Sequence, residues 1–181
     1  FPGDENCYIV FAVADGGLSA TLQYQGPKSV IPCGEWTHVA GTFDPVNGPK
    51  LFINGVLSSS RTPAASAILY KFSNNFRVGV NMDILTDIKY KGGVDEIRLW
   101  NRARTQEEII SLRDSRLSGA EDGLIGYWPL DERSGVSVSD LVYGKDKHGG
   151  VLIGSASVIS WVSSDIEWRQ DTTAAAGLRL P

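Results

Sequence analysis

The chain has 181 residues, of which 42% are hydrophobic and 21% are charged, and its formal net charge is −4 at pH 7. These values predict a globular chain of one domain or slightly more, and they exclude a disordered, collagen-like or disulfide-dense small protein. The negative charge and the scattered Lys and Arg residues disfavour nucleic acid or an anionic membrane surface as a partner. No stretch has the roughly 18 consecutive apolar residues of a membrane-spanning helix, so we expect no membrane insertion.

Short runs rich in β-branched and aromatic residues, separated by Gly, Pro, Asn and Asp, predict strands in most of the first half of the chain. Two tight hairpin turns are predicted at Asp15-Gly16-Gly17 and at Asn54-Gly55, because Gly supplies positive φ angles. Alternation along the run Val94–Trp100 places Asp95 and Glu96 on opposite faces of a strand. The predicted strands are Tyr8–Ala14, Leu18–Tyr24, Trp36–Phe43, Leu51–Ile53, Val56–Leu57, Phe76–Val80 and Val94–Trp100.

One short surface helix is predicted near residues 105–117. Thr105 is followed three positions later by Glu108, which is the pattern of a capping box, and acidic residues favour the positive end of a helix dipole. Gly119 is expected to stop the helix. The run Leu124–Leu130 then predicts another strand, and its Pro129 favours a strand end or a sheet edge.

Two cysteines, Cys7 and Cys33, are the whole cysteine content of the chain. A disulfide between them would add about 3 kcal/mol of stability and would suit a compartment outside the cytoplasm. Two buried free thiols are the alternative, and the sequence leaves both open.

Three motifs together resemble the laminin G-like domains of the concanavalin A-like lectin/glucanase superfamily. They are EWTHVAGTFD at residues 35–44, KLFING at residues 50–55 and GGVDEIRLWNRARTQEEI at residues 92–109. The resemblance implies an all-β fold, an antiparallel two-sheet jelly-roll sandwich with the short helix at its surface. This fold agrees with the strands and turns predicted from the residues themselves.

The order of the motifs predicts an unusual domain arrangement. In the family, a strand resembling LIGYWPLDE opens the domain, whereas here it lies at residues 124–132, after the helix. Residues 1–118 would then be most of one jelly roll that lacks its first strands, and residues 119–181 the beginning of a following copy in a repeat. The alternative is that residues 119–181 fold back and complete the first domain.

Catalysis is not expected. Glucanases of this fold carry two or three carboxylates on alternate residues of one strand, so that they flank the glycosidic bond. Asp95 and Glu96 are adjacent, and Asp165 and Glu167 alternate correctly but have Ser163 in place of the first Glu. The chain has two histidines, His38 and His148, and no Ser or Cys nucleophile in an elbow motif to act with them. His38 lies in a predicted strand, and we expect it to be packed and hydrogen-bonded.

Calcium is the ion that the resemblance implies. Its oxygen ligands would come from loops, and Asp95 would be one of them. The alternative is that Asp95 only orders the turn into its strand.

Aromatic residues outside the regular strand motifs are the candidates for stacking on sugar rings. They are Tyr70, Tyr90, Trp161 and Trp168. Trp36, Trp100 and Trp128 lie in strand motifs and are expected in the core.

Two classes of function remain from the sequence. The first is a non-catalytic carbohydrate-binding or adhesion module of a larger secreted or surface protein, with glycans or glycoproteins as partners. The second is a structural module that uses the lectin fold to contact neighbouring protein domains in a large assembly, which would also be compatible with an intracellular or organellar location. Fold alone does not distinguish them.

Overall fold

The computed structural model describes residues 6–11, 28–61, 76, 78, 90–143 and 148–153, and within them nine strands pair in four antiparallel sheets. The fold of these residues is therefore mostly antiparallel β with one short helix, as predicted. In chain order, the elements are β1 (Asn6–Val10), β2 (Lys28–Pro32), β3 (Val39–Asp44), β4 (Gly48–Ile53), β5 (Val56–Ser60), β6 (Ile97–Trp100), α1 (Gln106–Arg113), β7 (Leu124–Trp128), β8 (Ser137–Val138) and β9 (Gly150–Val151).

The first sheet pairs β1 with β2 from Asn6 opposite Pro32 to Val10 opposite Lys28. A disulfide between Cys7 and Cys33 links the end of this pair. The sequence did not predict β2, because Pro32 and Lys28 are unfavourable strand residues and only its centre is β-branched. The predicted turn at residues 15–17 and its second strand, Leu18–Tyr24, lie outside the described residues.

The second sheet is a meander in the order β3, β4, β5. Its first turn is held by the Asp44 carboxylate, which accepts hydrogen bonds from the backbone N–H groups of Val46 and Asn47 at 2.9 and 2.8 Å. The second turn is the predicted one: Asn54 and Gly55 have φ angles of 50° and 79°, as a type I′ hairpin requires.

The helix begins where the sequence predicted. The side chain of Thr105 accepts from the Glu108 N–H, and the Glu108 carboxylate accepts from the Thr105 N–H, which completes the capping box. It ends at Arg113, earlier than predicted, with Asp114 as its C-cap. At this end Arg113 binds the Asp114 carboxylate through Nε and Nη2, and the Asp114 N–H donates to the Leu112 carbonyl.

The third sheet joins β6 to β7, with Ile97 opposite Trp128 and Leu99 opposite Gly126. Beside it lies the largest group of buried apolar side chains in the described residues. This core contains Leu117, Leu124 and Tyr127, with Trp100, Leu112 and Val142 packed against it. The helix and both strands therefore share one core. A two-residue pair, β8 with β9, forms the last sheet.

Within the described residues, no helix has the length and apolar character needed to cross a membrane.

Candidate functional site

A cavity of about 270 Å³ lies between β3, the segment that leads into β6, and α1. Its walls combine apolar side chains with an unusual number of ionisable ones. The ionisable residues that line it are His38, Asp95, Glu96, Arg98, Arg104, Glu108 and Arg113. These ionisable side chains make the cavity the candidate functional site.

Glu96 is the most deeply buried acid of the cavity, with 2% of its surface exposed, and the neighbouring Asp95 is 7% exposed. The predicted opposite-face arrangement of the two acids is wrong. Glu96 has a φ of 52°, so the strand begins only at Ile97 and both carboxylates are buried. The Asp95 carboxylate accepts from the Glu96 N–H at 3.0 Å, which helps to fix this bend.

Both carboxylate oxygens of Glu96 are engaged. Oε1 accepts from the Tyr127 hydroxyl at 2.9 Å, and Oε2 accepts from Arg98 Nη2 at 2.7 Å. Burial, and next the charge of Glu96, raise the pKa of Tyr127, so the hydroxyl stays protonated and donates. Glu96 is therefore a structural acceptor that joins β6 to β7.

Arg98 links the same acid to the end of the helix. Its Nη1 donates to the Leu112 carbonyl at 2.6 Å, and its Nη2 donates to the Ser115 carbonyl at 2.5 Å. These carbonyls belong to the last turn of α1 and the residues after it, where backbone acceptors have no partner within the helix. Arg98 thus holds the helix end against the β6–β7 sheet.

His38 lies at the start of β3 and is 8% exposed. Its backbone exchanges two hydrogen bonds with Asn54, at 3.0 Å to Oδ1 and at 2.8 Å from the Asn54 N–H. Burial, followed by the charges of Arg98 and Arg113, lowers the pKa of His38 to about 4, so the ring is neutral at pH 7. The expectation that His38 is packed is correct, but its Nδ1 has no hydrogen-bond partner among the described residues.

A second polar cluster, which the sequence did not predict, surrounds Asp140. The Asp140 carboxylate accepts from the N–H groups of Tyr127 and Val142, both at 3.0 Å, and from the His148 N–H at 3.1 Å. His148 Nδ1 lies 3.3 Å from the same carboxylate. The His148 carbonyl accepts from Trp128 Nε1 at 2.8 Å, so the cluster anchors the chain after β8 to β7.

Calcium binding by Asp95 is not tested by the described residues around it. They contain no group of three or more His, Cys, Asp or Glu side chains placed to hold a metal ion. One Asp95 oxygen already accepts a backbone bond, both Glu96 oxygens are engaged, and the Arg98 guanidinium lies beside them. Calcium binding by Asp95 stays a prediction.

Of the predicted sugar-stacking aromatics, Tyr90 alone falls within the described residues; Tyr70, Trp161 and Trp168 lie outside them, as do Asp165 and Glu167. Tyr90 is 45% exposed, and its hydroxyl donates to the Gly93 carbonyl at 3.2 Å. Tyr143, which the sequence did not single out, is 83% exposed. A polar loop between strands, DLVYGKDKHGG, was the available signal for it.

Comparison with known proteins agrees with this fold. The family described as "Concanavalin A-like lectin/glucanases superfamily" matches residues 2–110 through its laminin G profile. Pappalysin-1 of Mus musculus is 28% identical over 89 residues, which are 49% of this chain and 5% of that protein. Pappalysin-1 of Homo sapiens is 29% identical over 97 residues, which are 54% of this chain and 6% of that protein.

The chain thus spans about one-twentieth of the length of these two curated relatives. No solved structure matches it significantly. The matched range contains all three motifs and strands β3, β4, β5 and β6. It also contains the first part of the capped helix, which ends at Arg113. The chain therefore belongs to the laminin G-like domains of the concanavalin A-like lectin/glucanase superfamily.

Proposed function

We propose that this chain is a non-catalytic adhesion module of a larger extracellular protein. Its family is often found in extracellular proteins, and a disulfide between Cys7 and Cys33 suits an oxidising compartment. The observation that carries the proposal is the position of Glu96, a buried carboxylate whose two oxygens are used inside the fold.

A glycosidase of this superfamily needs a pair of carboxylates that face the substrate from either side of the glycosidic bond. Glu96 and Asp95 are buried, and Glu96 is bound to Arg98 and Tyr127. Glu96 cannot offer a free oxygen to a sugar from this arrangement without breaking a hydrogen bond of the fold. The described cavity is therefore better suited to stabilising the domain than to hydrolysing a glycan.

Sugar recognition would use exposed aromatic rings instead. Tyr143 and Tyr90 are exposed tyrosines among the described residues, and a tyrosine ring combines an apolar face for stacking with a hydroxyl for hydrogen bonding. Tyr143 follows the Asp140 cluster, which holds the backbone beside it in place. A rigid base with an exposed ring is the arrangement expected of a glycan contact.

Contact with another protein is the second candidate, and a separate observation favours it. The Ser29 and Ser58 hydroxyls lie 2.6 Å apart, which brings β2 beside β5. Val30, Val56 and Leu57 on these strands are exposed. Exposed apolar side chains on adjoining strands support a protein contact there, because contiguous apolar surface is typical of protein interfaces.

A glycan array probed with the intact protein, with calcium and with a chelator, tests the first candidate. We expect retention that falls at least tenfold in a Tyr143→Ala variant and is unchanged in a Val56→Thr, Leu57→Thr variant. The adhesion of beads coated with the protein tests the second candidate. Adhesion that is lost in the Val56→Thr, Leu57→Thr variant but kept in Tyr143→Ala would favour protein contact. Release of reducing sugar from the bound glycans would refute the non-catalytic assignment.

We also propose that the described residues after the helix complete the same two-sheet jelly roll rather than open a second copy. In support of this, β7 pairs with β6 along four positions, and Tyr127 and Leu124 share a core with Trp100 and Leu112. Burying β7 against β6 in one core is what a completed sandwich requires.

A further inference from the structure

Three buried nitrogen atoms around the cavity have no hydrogen-bond partner among the described residues. They are Nδ1 of His38 and the Nε atoms of Arg98 and Arg104. All three residues line the cavity, and the Arg98 and Arg104 side chains are only 10% and 11% exposed. Buried polar nitrogen atoms are nearly always paired with protein, water or a ligand, so three unpaired ones around one cavity need an explanation. The two Nε atoms are N–H donors, and His38 Nδ1 is a donor in the tautomer that carries its hydrogen there.

The acidic side chains of the cavity do not supply the missing acceptors. Glu96 uses both oxygens on Arg98 Nη2 and Tyr127, and Glu108 binds Arg102 through both oxygens and also accepts from the Thr105 N–H. Arg104 reaches Glu108 only through Nη1, at 3.2 Å, while its guanidinium stacks 3.9 Å from the centre of the Trp100 ring. The Nε atoms point to an acceptor that the described protein does not provide.

We propose that this cavity binds the carboxylate group of a small ligand, which accepts hydrogen bonds from His38, Arg98 and Arg104. A carboxylate has two oxygens with about four acceptor positions, enough for three donors. The cavity, at about 270 Å³, is far larger than one water molecule needs. The site is separate from Tyr143 and from the exposed surface of β2 and β5, and it does not depend on the proposed adhesion function.

The ionisable side chains of the cavity have no net formal charge, so a ligand with more than one negative charge is disfavoured. The cationic residues of the cavity are Arg98, Arg104 and Arg113, and the anionic ones are Asp95, Glu96 and Glu108, so the two sets cancel. His38 is neutral at pH 7 because its pKa is about 4. A bound carboxylate adds one negative charge beside this ring, which favours its protonated form and raises the pKa of His38 from that value.

Proton uptake gives the proposal a direct test on the unaltered protein. The His38 ring signals are followed by NMR through a pH titration in sodium acetate and in sodium chloride of equal ionic strength. A carboxylate in contact with the ring is expected to raise the pKa of His38 by about 1 or more relative to chloride. Equal values in acetate and chloride would overturn the proposal and leave the cavity as a space for water only.

A pair of variants tests the donors. Arg104→Lys keeps the positive charge but removes the Nε donor, and Arg102→Lys makes the same change at an arginine that does not line the cavity. Acetate affinity, measured from the shift of the His38 signals, is expected to fall at least tenfold in the first variant and less than twofold in the second. Equal affinities in the two variants would contradict the assigned donors.

A free acid and the side chain of a partner protein present the same carboxylate. Two short peptides that differ only by Glu or Gln at one position distinguish these sources. Displacement of bound acetate by the Glu peptide and not by the Gln peptide indicates a protein side chain, whereas acetate binding that neither peptide displaces indicates a small acid.

Discussion

The Tyr127 hydroxyl donates a hydrogen bond to Glu96 across 31 positions of the chain, and both side chains are almost completely buried. The bond connects β7 to the residue before β6, beside the strand pair itself. Glu96 needs this donor because a buried carboxylate without compensating partners is strongly unfavourable. Tyr127 therefore forms part of the buried environment of Glu96.

Removing Arg98 is expected to destabilise the fold severely. In Arg98→Met, Glu96 keeps Tyr127 but loses its cationic partner, and the carbonyls of Leu112 and Ser115 lose their donors. The free energy of unfolding, measured by urea denaturation, should fall by about 3–5 kcal/mol. Arg102→Met removes an exposed pair with Glu108 and should cost no more than about 1 kcal/mol. Similar losses in the two variants would contradict the structural role of Arg98.

Stability is expected to decrease as the pH falls from about 6.5 to about 4. The pKa of His38 is about 4 in the folded protein, whereas that of an unperturbed histidine is 6.5. In this interval the unfolded chain binds a proton that the folded chain does not, so the slope reaches at most about 1.4 kcal/mol per pH unit. Above pH 6.5 both states are neutral at this residue and the contribution is constant.

Thermal unfolding at several pH values, in buffers without carboxylates, measures this dependence. His38→Gln should flatten the curve between pH 6.5 and 4. A parent-like slope in His38→Gln would assign the pH dependence to other groups.

Replacing Asp140 by Asn should loosen the chain after β8. Burial raises the pKa of Asp140, but hydrogen bonds from Val142, Tyr127 and His148 outweigh it and lower the pKa, so the group is an ionised acceptor at neutral pH. An amide would place a donor against the His148 N–H and should cost about 1–3 kcal/mol. Hydrogen exchange should accelerate at the His148 and Val142 amides.

Asp122→Asn serves as the control for this substitution, because the Asp122 side chain is 97% exposed and 3.9 Å from its nearest cation, Arg102. It should change the stability by no more than about 0.5 kcal/mol. If the amides of His148 and Val142 exchange equally in both variants, the Asp140 cluster does not anchor this segment.

Local sequence signals predicted local structure well. Thr105 and Glu108 indicated the capping box, and Asn54-Gly55 indicated a hairpin turn, because both features depend on residues within four positions of each other. The three motifs indicated the family, and the family match covers them.

The functional arrangement of the cavity was not predictable in the same way. Alternation through Val94–Trp100 assumed an unbroken strand, whereas Glu96 adopts a positive φ that places its carboxylate against Tyr127 and Arg98. The signal for this bend lies on β7, far along the chain. Asp140 and His148 were missed for a related reason, since their role depends on the folded position of Tyr127 and Trp128.

A double-mutant cycle between Glu96 and Tyr127 is the most direct test of the claim that β6 and β7 belong to one domain. The unfolding free energies of the parent, Glu96→Gln, Tyr127→Phe and the double variant are measured by urea denaturation. The structure predicts a coupling energy of about 1–3 kcal/mol in a single cooperative transition. Additive effects, with a coupling energy below about 0.3 kcal/mol, or two separate transitions, would contradict it and favour separate domains.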